Sequence, residues 1–400
     1  MADKQQDKPV KVWVLTNAPS PYQVELFSAL GADPRVMLTV RFMRKGYEGM
    51  PASDPAGCGF DYAVMTGHGL GRKRDELRWH PQAIEEARSG DWDIYVLSGM
   101  YTSLTFQRVA RLLQKRNAAW AAWLEQPWPV DYRPAWAERW SARWKPAAWL
   151  RERLLTGTVR DAPGVLAIGT AAVEAYSRYG VSPDRVFNMP YHCNVERFEN
   201  VNVEQTDRVR EDAGLRGKTV FLYAGMLVPR KGVDVLIKAF NHLAGERDDV
   251  ALVLLGKGSQ GAVLERSVDS AIADRVVFAG QLGQQELPAH YGAADVFVFP
   301  SRHDGWAVVL NEACGAGLPV VATQQTGAAR DLVEEDVNGF LFERDDVESL
   351  YGYMRTLAED VALRERMGRA SREVIRKYDL PHGVDRFIEA VIKIREHAIS

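Results

Sequence analysis

The sequence predicts an α/β protein with two doubly wound parallel sheets, and three observations carry the prediction. Short apolar runs rich in β-branched residues alternate with helical patterns in both halves, the signature of parallel strands joined by crossover helices. A chain of 400 residues is too long for one ordinary core and suits two. Near the middle, Pro190 interrupts the pattern and a polar stretch, Asn200 to Arg210, follows, as at a domain boundary.

In the first half, strands are expected at Lys11–Leu15, Met37–Arg41, Ile94–Leu97, Ala118–Trp123 and Val165–Ile168. In the second half they are expected at Thr219–Tyr223, Ala251–Leu255, Val276–Phe278, Val296–Phe299 and Pro319–Ala322, each bounded by Gly, Pro or Asp. The expected division is residues 1–195, residues 196–375, and a last segment, 376–400. In that segment a break at Pro381 precedes an apolar stripe, Val384, Phe387, Ile388, Val391 and Ile392, spaced as a helix that packs back on the first domain.

Composition excludes several classes. A formal net charge of −3 offers no basic field for a nucleic-acid backbone. The three cysteines, Cys58, Cys193 and Cys314, are too few and too scattered for a disulfide framework or a four-ligand zinc site, and fit a reducing cytoplasm. Residues Met1 to Lys11 are polar and lack a signal peptide's apolar region. No window approaches the roughly 20 apolar residues of a spanning helix, so any membrane contact is expected to be peripheral.

Two segments carry chemistry. The first runs Tyr223-Ala-Gly-Met-Leu-Val-Pro-Arg-Lys-Gly: a strand end, a turn at Gly225, then Arg230 and Lys231 at a helix start. Two cations beside helix amides form an anion site suited to a diphosphate, although a solvated Arg-Lys pair would account for this segment alone equally well. The second, Pro300-Ser-Arg-His-Asp-Gly-Trp-Ala-Val-Val-Leu-Asn-Glu, follows an apolar strand and places Asp304 and Glu312 eight residues apart. In a strand–loop–helix unit the first sits at the sheet's carboxyl edge and the second about two turns into the helix, so both face one crevice and can accept hydrogen bonds from sugar hydroxyls. A turn aspartate and a surface glutamate remain the plainer alternative.

The succession of these segments resembles the GT-B fold retaining glycosyltransferases of family 4, the glycosyl transferases group 1. It comprises the Gly225-to-Gly232 loop, Gly256-Lys-Gly-Ser, Phe278-Ala-Gly-Gln-Leu, Ala294-Asp-Val-Phe-Val-Phe-Pro-Ser, the Asp304/Glu312 pair and Gly317-Leu-Pro-Val-Val-Ala-Thr. The resemblance spans most of the second domain; in the first only the opening strand and Asn188 to Phe198 match. It implies two Rossmann-like domains facing a central cleft, with a nucleotide-sugar on the second and the acceptor on the first. It further implies that Arg230 and Lys231 neutralise the donor diphosphate, that Glu312 holds the ribose, and that Asp304 with the backbone of Trp306, Ala307 and Val308 grips the sugar. Leu282 falls where the family contacts the base, and Gly283 permits close approach. No protein nucleophile is needed, because cations and amides wait where phosphate charge grows.

The chain departs from the pattern at three places. Met226 stands where many members have Arg, Asp304 where Glu is usual, and no His occupies the first-domain strand ends Ser98-Gly99 and Leu124-Glu125. Glu125 there would bind acceptor or sugar, and the donor base (UDP- or GDP-linked) stays open. The loop Asn17-Ala-Pro-Ser-Pro-Tyr-Gln opens a helix at a ligand position and lacks dinucleotide glycines; Ser20 and Tyr22 are candidate cleft contacts, a proline-rigidified helix entry being the alternative.

Metal independence is expected. Asp91-Trp-Asp93 spells Asp-X-Asp but precedes its strand, the wrong end, and His68, His80, His192, His303 and His382 lack paired ligand spacing. Seven of the 11 Trp lie between Trp120 and Trp149, and Trp136, Trp140 and Trp144 recur every four residues among arginines. Such a helix (about residues 128–155) suits an anionic inner leaflet, and then a lipid-linked saccharide or glycolipid acceptor; a core face or an acceptor wall is the alternative. The competing functions are a sugar-nucleotide epimerase of the same architecture and a degenerate nucleotide-sugar binder.

Overall fold

The computed structural model describes residues 8–46, 53–69, 78–99, 101–127, 150, 153 and 157–399. The chain divides into two compact units, Met1–Cys193 with Leu380–Ser400, and Asn194–Asp379. Each holds one parallel sheet.

The first unit's strands are β1 (Val10–Thr16), β2 (Val36–Phe42), β3 (Asp61–Val64), β4 (Ile94–Ser98), β5 (Trp120–Leu124), β6 (Gly164–Ala167) and β7 (Val186–Asn188), in the spatial order β3-β2-β1-β4-β5-β6-β7. Helices cover both faces, so β4 and β5 are buried at every residue and read as continuous apolar runs rather than alternations. Trp13 is fully buried and its indole N–H donates to Glu86 at 2.9 Å, which satisfies the polar atom of this core side chain. Strands β3 and β7 lie beyond the sequence expectation because they are edges: neither has a buried residue to mark it.

The second unit contributes β8 (Thr219–Ala224), β9 (Val250–Leu255), β10 (Val276–Gly280), β11 (Val296–Phe299), β12 (Val320–Thr323) and β13 (Gly339–Phe342), ordered β10-β9-β8-β11-β12-β13. The sequence reading missed β13, which opens on Gly339. The glycine is needed there because a Cβ would stand 1.9 Å from the carbonyl oxygen of Val320 on the neighbouring strand.

Both unit boundaries differ from those expected. The chain leaves the first unit at Cys193 and re-enters it at Leu380, not at 195 and 376. After the helix Val361–Ile375, Tyr378 stays with the second unit, its hydroxyl on the Asp331 carbonyl at 3.3 Å and its ring 6.3 Å from that of Trp306. The final helix is Leu380–Ile399, and Pro381 starts it instead of breaking one, since a first-turn residue needs no N–H donor. Val384, Phe387, Ile388 and Val391 are buried, with Phe387 packed 5.7 Å from Trp123 of β5. Ile392 is half-buried, and Ile394 completes the buried stripe.

Candidate functional site

In each sheet the strand order reverses beside the first strand, between β1 and β4 and between β8 and β11. Crossovers leave such a point on opposite faces, and the crevice at the strands' carboxyl ends is where doubly wound sheets take ligands. The residues singled out from sequence gather at these two edges, each within its own unit.

In the second unit the edge is built largely from backbone. The amide of Gly225 donates to Leu255 at 2.9 Å, that of Leu227 to Lys257 at 3.0 Å and that of Gly256 to Gly280 at 2.7 Å, which stitches together the loops after β8, β9 and β10. Only glycine fits at 256: its φ is +137°, and a Cβ would lie 1.9 Å from the Gly225 carbonyl oxygen. The next turn, Pro229–Lys231, is tied across the switch point, the Arg302 amide donating to the Arg230 carbonyl at 2.8 Å. Arg302 then grips Asp234 through two bonds of 2.9 and 2.7 Å and Asp345 through one of 2.6 Å.

This frame brings Arg230, Lys231 and Asp304 together across 73 residues of sequence. Lys231 Nζ donates to Asp304 Oδ2, and Arg230 Nη1 lies 3.4 Å from the same oxygen while donating to the His303 carbonyl at 2.7 Å. Lys231 also stands 4.8 Å over the Phe299 ring, a cation–π contact that steadies a nearly buried ammonium. Burial acts to raise the Asp304 carboxyl, but Lys231 and Arg230 outweigh it and hold it below the usual carboxylate range. Burial pushes the adjacent His303 down to about 4, with Arg230 and Lys231 adding to the effect against the pull of Asp304.

Glu312 lies one turn into the helix Val309–Gly315 and accepts from the Tyr291 hydroxyl at 2.8 Å. Stacked rings link it to the ion pair: Tyr291 on Phe297 at 5.6 Å, Phe297 on Phe299 at 6.2 Å and Phe299 on Tyr223 at 6.0 Å. Trp306 is fully buried, its N–H on Asn311 at 2.9 Å, so only its backbone can serve a ligand. Ala307 has φ +81°, a strained conformation held by the Gly327 amide on the Asp304 carbonyl at 3.0 Å and the Ala328 amide on the Trp306 carbonyl at 2.8 Å. Ala307 and Val308 lead into the first turn of the helix, where their carbonyls accept from the amides of Leu310 at 3.0 Å and Glu312 at 3.2 Å. Leu282 and Gly283 follow β10, two strands from β8; the Gly283 amide donates to Glu286 at 2.8 Å, so the approach expected over Gly283 is shared with that carboxylate.

The first unit places Ser20, Tyr22, Ser98, Gly99 and Glu125 at the ends of the adjacent strands β1, β4 and β5. Ser98 is buried, and Gly99, with φ +102°, makes room for Asn17, whose side-chain oxygen would be 2.5 Å from a Cβ. Ser20 immediately precedes the helix Pro21–Ala32 and donates to Gln23 at 3.1 Å. Glu125 is exposed, with its Oε1 accepting from the Tyr191 hydroxyl at 3.2 Å and its carbonyl from that of Tyr176 at 2.7 Å. The Tyr191 ring packs 4.6 Å from Tyr22. Burial raises both Tyr176 and Tyr191, which keeps these phenols neutral donors to Glu125.

Trp136, Trp140 and Trp144 lie outside the described residues. Trp120 and Trp123, which the sequence reading places in the strand Ala118–Trp123, are fully buried residues of β5 and belong to the core. Asp93 sits at the amino end of β4 and accepts from the Lys11 amide at 2.8 Å, while Asp91 pairs with the Lys11 side chain at 3.2 Å. Among the described residues no group of three or more His, Cys, Asp or Glu could hold a metal ion. Sequence reasoning missed Tyr291, Phe299 and the Asp234–Arg302–Asp345 tie. The alternation of Phe297 and Phe299 along β11 was their one visible signal.

Residues 205–374, which lie within the second unit, match the family described as Glycosyl transferases group 1. The chain is 35% identical over 193 residues to a GDP-mannose-dependent alpha-(1-6)-phosphatidylinositol monomannoside mannosyltransferase of Mycolicibacterium smegmatis, covering 46% of this chain and 50% of that one. It is 34% identical over 178 residues to a sulfoquinovosyl transferase of Arabidopsis thaliana, covering 44% and 33%. The chain thus spans half or less of these curated relatives. The crystal structure of Anabaena HepE in complex with UDP matches 95% of this chain and 99% of its own at a TM-score of 0.74 and 18% identity, which shows a shared GT-B fold. No helix among the described residues is long and apolar enough to cross a membrane.

Proposed function

We propose that the protein is a retaining glycosyltransferase that moves a sugar from a UDP- or GDP-linked donor to a lipid-linked saccharide or glycolipid. One observation carries the reading: two cations and a carboxylate, Arg230, Lys231 and Asp304, meet at the β8/β11 switch point of a group 1 domain. An arriving diphosphate competes with Asp304 for Lys231 and Arg230, which frees the carboxylate to accept from sugar hydroxyls at the same moment. The cations then stabilise charge on the departing nucleotide, while Glu312, held by Tyr291, takes the ribose hydroxyls. Retention of anomeric configuration follows from the family resemblance. The mycobacterial relative's action on a phosphatidylinositol mannoside and the UDP bound to HepE support the acceptor class and the donor class. Glu125 and Tyr22 are the acceptor-side contacts, with Ser20, Ser98 and Gly99 shaping that edge.

Leaving-group stabilisation by Arg230 and Lys231 makes the reaction metal-independent in this proposal. A thermal-shift panel of UDP, GDP, ADP and their sugar conjugates, with magnesium or with EDTA, tests it through ligand-linked stabilisation. One nucleotide is expected to raise the midpoint equally in both buffers and to lose that effect in Glu312→Ala, whereas Lys231→Ala lowers turnover more than affinity. A wild type silent to every nucleotide, or a shift that needs magnesium, overturns the donor site or its metal independence respectively. The segment bearing Trp136, Trp140 and Trp144 is proposed to rest on the inner leaflet as a peripheral contact. Equal co-sedimentation of wild type and a triple Trp→Ser variant with anionic liposomes would remove it.

A further inference from the structure

We propose that Lys257 reads the nucleobase of the donor and favours one presenting a carbonyl oxygen, uracil O4 or guanine O6, over adenine. The inference rests on the donor-site reading above and goes beyond it by assigning a residue to base choice.

The sheet order β10-β9-β8 puts β9 between the strand that leads to Arg230 and Lys231 and the strand that leads to Leu282. A nucleotide with its phosphates over the two cations and its base beside Leu282 must therefore cross the carboxyl end of β9. That end is Gly256-Lys257-Gly258, stitched to its neighbours on both sides by backbone hydrogen bonds, so it offers a flat floor with one long side chain. A Cβ on Gly258 would fall 2.2 Å from the Leu227 carbonyl oxygen, which fixes how closely this floor packs on the β8 loop.

Lys257 is exposed and takes part in no ion pair among the described residues. Its side chain leans toward β10 and away from the phosphate cations, for its Cε lies 3.4 Å from the position a Cβ would take on Gly280. The direction of lean decides between the two roles open to a lysine here: on the β8 side it would add a third phosphate cation, and on the β10 side it meets the base. An ammonium has three donors and no acceptor. It pairs with the carbonyl oxygen of uracil or guanine and faces a donor on adenine, whose amino group stands in the corresponding place. Loss of such a charge-assisted bond is worth about tenfold in affinity.

Isothermal titration with UDP, GDP, ADP and inorganic pyrophosphate tests the assignment on wild type, Lys257→Met and Lys257→Arg. The wild type should bind UDP or GDP about tenfold tighter than ADP, and Lys257→Met should erase that margin while changing ADP and pyrophosphate by less than about twofold. Lys257→Arg, which keeps a donor-only cation, should retain the preference. Equal losses on all three nucleotides, or on pyrophosphate, would assign Lys257 to the phosphates and overturn the proposal, as would unchanged discrimination in Lys257→Met. A wild type that binds no nucleotide would overturn the donor site itself, a result distinct from binding without discrimination. Matching melting temperatures of the unliganded variants confirm that the exposed substitution leaves the fold intact.

Discussion

The two carboxyl edges share a topology and differ in what builds them. At the second unit's edge, three loops are joined by backbone hydrogen bonds, and the reactive side chains Lys231 and Asp304 are nearly buried in a mutual ion pair. At the first unit's edge, Glu125 is exposed and its neighbours reach it through side-chain hydroxyls, from Tyr191 at 3.2 Å and from Tyr176 at 2.7 Å. A diphosphate is the same in every donor, and in the proposed reading a frame fixed by backbone hydrogen bonds carries the two cations that exchange Asp304 for it. An acceptor varies from enzyme to enzyme, and side chains on a parallel sheet can be exchanged without disturbing the strands beneath. In the proposed reading, the constant half of the substrate meets side chains held on a backbone-stitched frame and the variable half meets an exposed side chain.

The largest expected effect on that contrast is in acid. His303 has its folded value pushed down to about 4 from an ordinary 6.5. Between those values the unfolded chain binds more protons than the folded one, so stability rises with pH, is full above about 6.5 and is lost as pH falls toward about 4, a change of about 3 kcal/mol. Asp304 is depressed instead, so its contribution is present above about 3.9 and disappears only below that window. His80 in the first unit is also lowered, first by burial. Pulse proteolysis in urea from pH 4 to 7, scored on fragments of each unit, should show the second unit weakening with acid and His303→Asn flattening that slope. A slope unchanged in His303→Asn would remove the site from the explanation.

Much of this was legible beforehand, and the omissions have physical causes. Buried strands such as β8, β9 and β11 announce themselves as apolar runs because both faces are covered, whereas β3 and β7 are exposed edges and carry no such pattern. Arg230, Lys231, Asp304 and Glu312 stood out because helix starts and strand ends have local signatures. Their pairing did not, since Lys231 meets Asp304 across 73 residues and Glu125 meets Tyr191 across 66, and no local pattern encodes a contact of that span. The polar tie of Arg302 to Asp234 and Asp345 was hidden for the same reason.

A smaller difference, between two glycine variants, separates backbone from side-chain construction directly. Gly256 and Gly99 both have positive φ, +137° and +102°, so alanine is strained at either position. At Gly256 the obstacle is the Gly225 carbonyl oxygen, 1.9 Å from the new Cβ, which the β8 loop cannot withdraw without breaking its ladder. At Gly99 the obstacle is the amide end of Asn17, which can turn aside. Gly256→Ala should cost the second unit about 3 kcal/mol and abolish nucleotide binding, and Gly99→Ala should cost the first about 1.5 kcal/mol. Equal urea midpoint shifts in the two variants would show that the first edge is as rigid as the second.

The smallest effect tests whether the first edge's hydroxyl contacts stand apart from donor recognition. Tyr191→Phe keeps the ring beside Tyr22 and removes the donor to Glu125, a loss of about 1 kcal/mol in the first unit's stability. Because the phenol is buried and held neutral, the cost comes from an unmet hydrogen bond and not from a change of charge, so it should be the same at pH 6 and pH 8. Nucleotide affinity should be unchanged, since every group proposed to hold the donor belongs to the second unit. A nucleotide affinity that falls in Tyr191→Phe by the same factor as the stability would mean that donor binding draws on Glu125 as well, and the division between a backbone-built edge for the donor and a side-chain-built edge for the acceptor would have to be abandoned.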